Sequence, residues 1–268
     1  MIIIGEKING FIPSTLKAIE SKDDAYIKGL AEKQSEYGAS YIDVCAGTAP
    51  EIEHDTLEWL IGLVQETTET PLSIDSSDVQ TILDMIPLAK RPGLINSVSG
   101  EGEKCDTLFP AIADTEWNVV ALTCDDESGI PNDPKIKAKI ASDIIAKADK
   151  YGVARERLFI DPLVTTLGAN SEAFASFGDA VRLIKESYPE VHITSGLSNI
   201  SYGLPYRRAI NRVFLSLAMA AGMDSAIVDP TAEDMRAAIY ATEVLVGRDP
   251  NCKHYLKAVR KNIIGANA

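Results

Sequence analysis

The residues with chemistry to offer stand at the ends of short apolar runs. They are Glu6 and Asn9, Asp43 with Cys45, Asp75, Asn96 with Ser97 and Ser99, Cys124 with Asp125, Asp161, Ser198 with Asn199, and Asp229. The set is made of carboxylates, amides and small hydroxyls. It contains no histidine, and Lys7 is the only lysine near it in sequence. A serine hydrolase needs a histidine base beside its nucleophile, and a Schiff-base aldolase needs an inward lysine; this set supplies neither. His54, His192 and His254 are far apart, with no H-E-x-x-H or Cys/His ligand spacing, so no zinc site is expected. Asp75, Asp161 and Asp229 could hold a hard cation such as Mg²⁺, a reading that leaves Asn96 and Asn199 less well explained. A flat heterocycle accounts for more of the set. The amino-oxo edge of a pterin carries adjacent N–H donors that a carboxylate accepts in bidentate fashion. It also carries mixed donors and acceptors that suit an amide side chain.

Whether these residues meet depends on the elements that carry them. Strand-like runs rich in Ile and Val cover 2–8, 40–47, 71–77, 93–100, 118–124, 157–163, 192–198 and 225–230. Helical patterns lie between them. Leu57, Leu60, Ile61 and Val64 repeat at helical spacing. Asp133-Pro134 followed by Ile136, Ile140 and Ile144 reads as N-cap, first-turn proline and apolar stripe, with Gly152 as the stop. Pro205 reads as the start of a helix running through Val213, Leu217 and Ala221 to Gly222. Thr231 reads as an N-cap with Asp234 at the third position. Strand–helix alternation about eight times over, at roughly 30 residues per unit, is the pattern of a (β/α)₈ TIM barrel. A doubly wound sheet is the alternative, and the missing G-x-G-x-x-G after the first run argues against it. With no linker or composition break, the chain reads as one α/β domain over 1–268.

In such a barrel the strand C-termini form one mouth, so Asp75, Asn96 and Asp161 are expected to converge there. Asp43 and Asp229 read instead as structural residues, on the logic of carboxylates that cap helices just after a strand. Cys45 and Cys124 read as packing residues. Net charge is −13, from 26 Lys and Arg against 39 Asp and Glu, and argues against nucleic acid. An anionic ligand must then find a local cation or backbone N–H groups. No run approaches the ~18 apolar residues of a membrane span. The opening MIIIGEKING lacks the features of a signal peptide. The scattered cysteines, without a C-x-x-C, suit reduced thiols and a cytoplasmic setting.

Six strings together, GEKIN (5–9), DVCAGT (43–48), SIDSS (73–77), INSVSG (95–100), FIDPL (159–163) and SGLSNISYGLP (195–205), resemble the methyltetrahydrofolate:corrinoid protein methyltransferases. They are also similar to the folate module of cobalamin-dependent methionine synthase. The resemblance covers nearly the whole chain. It implies a pterin-binding TIM barrel that transfers the N5-methyl group between methyltetrahydrofolate and the cobalt of a separate corrinoid protein, by an SN2-like step with cob(I)alamin as nucleophile. It implies a homodimer and a corrinoid (cobalamin) carried by the partner protein; no metal bound by this chain is expected, because the sequence shows no ligand cluster. Asp75, Asn96 and Asp161 resemble the pterin-binding trio, and Asn199 the catalytic asparagine that reaches N5. Gly196 and Ser198 resemble neighbouring backbone contacts, and Arg207 a contact to the benzoyl-glutamate side. Cys45 departs from the asparagine of several relatives. No D-x-H-x-x-G corrinoid motif is present.

Dihydropteroate synthase is the alternative pterin enzyme. It calls for a lysine near the seventh strand and S-x-R after the eighth, where this chain has SGLSN and IVDPTAED. A non-catalytic folate- or corrinoid-binding protein is the alternative of another class, and Asn199 argues against it.

Overall fold

The computed structural model describes residues 1–265. Its strands are β1 (Ile2–Asn9), β2 (Tyr41–Cys45), β3 (Leu72–Asp75), β4 (Leu94–Ser99), β5 (Asn118–Leu122), β6 (Leu158–Asp161), β7 (His192–Ile193) and β8 (Ser225–Val228). They form one eight-stranded sheet in the order β7-β6-β5-β4-β3-β2-β1-β8, all neighbours parallel. The β7–β8 seam closes through a Gly196–Ile227 bridge and through Ile227 N donating to Ser195 O at 3.0 Å. The chain is a single-domain (β/α)₈ barrel, as the alternating runs predict. The last three residues of the expected 1–268 domain lie outside the described ones.

Burial on both faces explains why the runs are continuously apolar. Ile42, Val44, Ile74, Ile95, Val119 and Ile160 point outward into the large core beneath the helices. Ile4, Leu94, Val120 and Phe159 point inward and form a separate plug, with Tyr41 edge-on to Phe159 at 6.3 Å. Side chains alternate along a strand with a period of two. Two residues beyond each inward position therefore comes Glu6 after Ile4, Asp43 after Tyr41, Asp75 after Ser73, Asn96 after Leu94, Asp161 after Phe159 and Asp229 after Ile227. This parity lays a polar layer on an apolar plug at the C-terminal end of the barrel.

The helices are α1 (Pro13–Glu20), α2 (Asp24–Glu36), α3 (Pro50–Thr67), α4 (Val79–Met85), α5 (Lys104–Ile112), α6 (Pro134–Tyr151), α7 (Ala173–Ser187), α8 (Arg207–Ala221), α9 (Glu233–Leu245) and α10 (Lys253–Arg260). The expected caps of α6 are in place. Asp133 accepts from Lys135 N at 2.8 Å, and Gly152 ends the helix at φ +79°. Leu57, Leu60, Ile61 and Val64 are buried on α3 as expected.

Other expectations need correction. β7 stops at Ile193 instead of running to 198, because a 3₁₀ turn at Leu197–Ser201 takes over. Pro205 does not begin α8: Tyr206 turns left-handed at φ +51° and the helix starts at Arg207. Thr231 does not cap α9, since its N and Oγ1 both go to Asp229 Oδ1, at 2.9 and 2.6 Å. On α6 the inner stripe is Lys137, Ile140, Ala141 and Ile144, while Ile136 is exposed. On α8 the buried residues are Phe214, Leu215, Ala218 and Met219, which leaves Val213 60% and Leu217 45% exposed.

Candidate active site

The polar layer divides into groups set by strand register. On β2–β4, Cys45 lies beside Asp75 and Asp75 beside Asn96. Asp43, only 1% exposed, receives Ser73 Oγ at 2.6 Å and Asn96 Nδ2 at 3.2 Å through the same oxygen. It is therefore no helix cap but the buried base of the group. Burial pushes its carboxyl up to about 6, held back by the hydrogen bonds from Ser73, Asn96 and Asp75. Burial, then the charge of Asp43, holds Asp75 well above the ordinary carboxylate range. The two carboxyls therefore titrate as a pair, and both are held above the usual carboxylate range. Burial likewise pushes the Cys45 thiol up, followed by the charges of Asp75 and Asp43, so it stays neutral and packs.

On β6–β7, Asp161 Oδ1 accepts from Leu163 N at 2.8 Å and Oδ2 from Gly196 N at 3.3 Å. Burial pushes this carboxyl up to about 6, against those two N–H groups and the nearby Lys137. On β1–β8, Glu6 stands half-buried, and Lys7 pairs with Asp229 at 3.5 Å. Glu6 rises to about 7 through burial, then through the charge of Asp229. Asp229 also holds the turn at Thr231, in keeping with its structural reading.

Asn199 sits in the 3₁₀ turn after β7, exposed at the rim. Its Nδ2 would lie 3.0 Å from a Cβ placed on Gly196, so the absence of a side chain there admits the amide. Arg207 turns back on the same loop. Its Nε donates to Ser201 Oγ at 3.0 Å and its Nη2 to the Ser198 carbonyl at 2.7 Å. A cavity of about 480 Å³ opens beside this loop, lined by Glu6, Ser198, Arg208, Asn211, Asp229 and Asp234 among others. Asp75, Asn96 and Asp161 are not among the residues that line it. Asp75, Asp161 and Asp229 do not form a cation cage: among the described residues, no three His, Cys, Asp or Glu side chains stand close enough to hold a metal ion.

The family model for pterin binding enzymes matches residues 14–229. The chain belongs to the pterin-binding enzymes. It is 51% identical over 267 residues to the methylcorrinoid:tetrahydrofolate methyltransferase of Eubacterium limosum, covering 99% of this chain and 98% of that protein. It is 30% identical over 241 residues to the methionine synthase of Mycobacterium leprae, 85% of this chain but 20% of that longer protein. Among solved structures, the dihydropteroate synthase from Xanthomonas albilineans in complex with 7,8-dihydropteroate matches with a TM-score of 0.63 at 20% identity, covering 91% of this chain and 92% of that one. At that identity the likeness is one of fold.

For a pterin-binding enzyme of this fold, the sequence reading passed over four residues. Asp43 reads as a cap from its position after a run, although its parity with Tyr41 places it inside the barrel. Glu6 stood among the strand ends without a role. Lys137 lies on the buried stripe of α6, three and four residues before Ile140 and Ala141, where a lysine reads as a solvated helix residue. Arg208, which lines the cavity and pairs with Asp234 at 2.9 Å, is the cation facing that space where Arg207 was expected.

Proposed function

We propose that this protein is a methyltransferase moving the N5-methyl group between tetrahydrofolate and the cobalt of a corrinoid carried by a separate protein. The observation that carries the reading is the 51% identity with the Eubacterium limosum enzyme over nearly the full length of both chains. The site geometry supports it residue by residue.

Asp161 accepts the donor edge of the pterin, and its two backbone hydrogen bonds fix where that carboxylate points. Asn96, held from below by Asp43, offers its carbonyl oxygen to a ring N–H. Asp75 completes the trio beside it. Gly196 lets the ring approach the β7 loop, and Ser198 lines its edge. The benzoyl-glutamate side extends toward the cavity, where Arg207 stiffens the loop and Arg208 supplies charge.

Asn199 is the catalytic residue of the proposal. Its side-chain amide has no hydrogen-bond partner among the described residues and stands over Gly196. When methyl leaves N5 for cob(I), the bonding pair stays on nitrogen and a proton must reach it. In the opposite direction, N5–H releases its proton as N5 takes methyl from cobalt. An amide N–H donating to N5 stabilises that changing density more in the transition state than in the ground state. The corrinoid is a substrate here, delivered over the open mouth.

The resemblance also supports a homodimer and a cytoplasmic setting as parts of the proposal. Val213 and Leu217, apolar and exposed on α8, suit a face covered by a second copy. Among the described residues no helix is long and apolar enough to cross a membrane. The deciding experiment mixes the purified chain anaerobically with methyltetrahydrofolate and cob(I)alamin. Loss of the cob(I) absorbance at a rate proportional to enzyme is expected; folate binding without any transfer in either direction would leave only a binding protein.

A further inference from the structure

Lys137 is a charged side chain buried to 1% exposure on the inner stripe of α6. Its Nζ donates to the carbonyl oxygen of Leu163 at 2.6 Å, its single hydrogen-bond partner among the described residues. Leu163 lies in the turn after β6 and holds φ +50°, a left-handed conformation unfavourable for a residue with a Cβ. Such a conformation persists only where its surroundings fix it from more than one side. Here the two sides are explicit. The N–H of Leu163 goes to Asp161 Oδ1 at 2.8 Å, and its carbonyl goes to Lys137.

We propose that Lys137 is a positioning residue of the folate site: its ammonium clamps the Leu163 carbonyl, holds the left-handed turn, and so aims the Asp161 carboxylate into the mouth. The proposal rests on the folate-binding reading and assigns the residue that makes Asp161 fit for it. If the clamp is lost, Leu163 is free to return to negative φ. Its N–H then swings off Asp161, and the carboxylate loses one of its two anchors. The cation matters as well as the hydrogen bond. Lys137 is the cation whose charge acts on Asp161, and the carboxylate accepts from the N–H groups of Leu163 and Gly196. Burial draws the amine down to about 8, with Asp161 opposing that shift, so it stays protonated at neutral pH.

Two variants separate the parts. Lys137→Gln keeps a donor for the Leu163 carbonyl and removes the charge; Lys137→Met removes both. The carboxyl resonance of Asp161, assigned by its loss in Asp161→Asn, is titrated in the folate-free protein, and tetrahydrofolate affinity is measured by calorimetry. In both variants the Asp161 titration is expected to move to higher pH. In Lys137→Met, tetrahydrofolate affinity should fall about tenfold, the loss of one charge-assisted hydrogen bond, with Lys137→Gln between it and wild type. If Lys137→Met does not fold, Lys137→Gln decides alone, and an unmoved Asp161 titration overturns the proposal. Wild-type titration and affinity in both variants also overturn it, while leaving folate binding intact. If the wild-type protein binds no tetrahydrofolate, the functional reading fails visibly and the proposal with it, whatever the Asp161 titration shows.

Discussion

Asn96 Nδ2 donates to Asp43 Oδ1 across 3.2 Å, so the amide expected to read the pterin is itself held by a carboxylate buried beneath it. That single contact fixes which end of the Asn96 amide faces the mouth: the nitrogen is occupied below, and the carbonyl oxygen is presented above.

Asp43→Asn should disturb this orientation. The new amide oxygen can accept from Ser73 Oγ and Asn96 Nδ2 only as a neutral, weaker acceptor, and an NH₂ replaces the second carboxylate oxygen, so the amide can also turn that NH₂ toward the two donors. Stability at pH 7 should change little, because the weaker hydrogen bonds are offset by removing a buried group that resists ionisation up to about 6. Tetrahydrofolate affinity should fall by roughly tenfold, about one hydrogen bond. Urea unfolding beside calorimetric titration separates the two effects, and unchanged affinity would remove Asn96 from the pterin contacts.

Asp161 gives a signed prediction for pH. Its carboxyl is raised from 3.8 to about 6 in the folded protein, so between those values the native state holds more protons than the unfolded one. Stability of the folate-free protein should therefore fall as pH rises through that window, and the full cost is present above about 6. For this 5%-exposed group the cost is on the order of 2–3 kcal/mol. In Asp161→Asn the loss of stability between pH 4 and 7 should shrink by about that much. Folate affinity of the wild type should run the other way, rising with pH through 6 as the carboxylate becomes available. Denaturation curves across pH check the first statement and titrations the second.

The barrel was legible because burial on both faces leaves a plain signature: short runs of Ile and Val at regular spacing. The trio was legible because strand ends in a barrel share one mouth. Individual side chains were harder. Asp43 looks like a cap when only its position after a run is read, and the period-two step from Tyr41 shows it points inward. Lys137 interrupts the apolar pattern of α6, so the sequence pattern runs through Ile136, which is exposed. The Gly/Ser/Asn stretch before Pro205 reads correctly as a loop, but the run over 192–198 extends the strand too far and Pro205 starts the helix too early, because a 3₁₀ turn at Leu197–Ser201 and the left-handed Tyr206 intervene. In each case a local pattern was right in kind and tertiary contacts decided the residue.

Glu6 titrates near neutrality at the edge of the mouth. Burial and the charges of Asp229 and Asp43 raise it, Lys7 and Arg207 oppose them, and the outcome is about 7. Methyl transfer exchanges one proton at N5, so a group of this kind should leave a limb near pH 7 in the rate profile. In Glu6→Gln that limb should flatten while the Asp161 limb near pH 6 remains. A single-turnover profile from pH 5.5 to 8.5 makes the comparison, and an unchanged limb would place the titration elsewhere.

Gly196→Ala probes the space above the β7 loop. Gly196 has φ −66°, which alanine adopts freely, so the backbone should not object. The new methyl would meet Asn199 Nδ2 at 3.0 Å and push it aside. The amide must give by a few tenths of an ångström, and since about 1 Å of misplacement at a reacting group can cost on the order of 10² in rate, a loss of several-fold is expected. Melting temperature should stay close to wild type while the transfer rate falls. A variant that keeps the rate would show that the amide need not stand where it does.

Asn199 itself separates catalysis from binding. Asp75, Asn96 and Asp161 can hold the pterin ring in either methylation state, since their contacts lie on its amino-oxo edge. The exposed Asn199 amide, free of partners among the described residues, adds little to the fold, so Asn199→Ala should be well folded. N5 is a weak acceptor while methylated and a strong one as the carbon–nitrogen bond breaks. Losing one donor of this kind typically costs on the order of 10²–10³ in rate. Ground-state affinity should fall by much less, because a neutral hydrogen bond exposed to solvent contributes about 1 kcal/mol or under. Stopped-flow loss of cob(I)alamin at saturating methyltetrahydrofolate gives the first quantity, and equilibrium titration gives the second. If the saturated single-turnover rate is unchanged and only affinity falls, Asn199 binds the substrate without activating it. Stabilisation of N5 would then have to come from another donor lining the cavity, such as Glu6 in its protonated form.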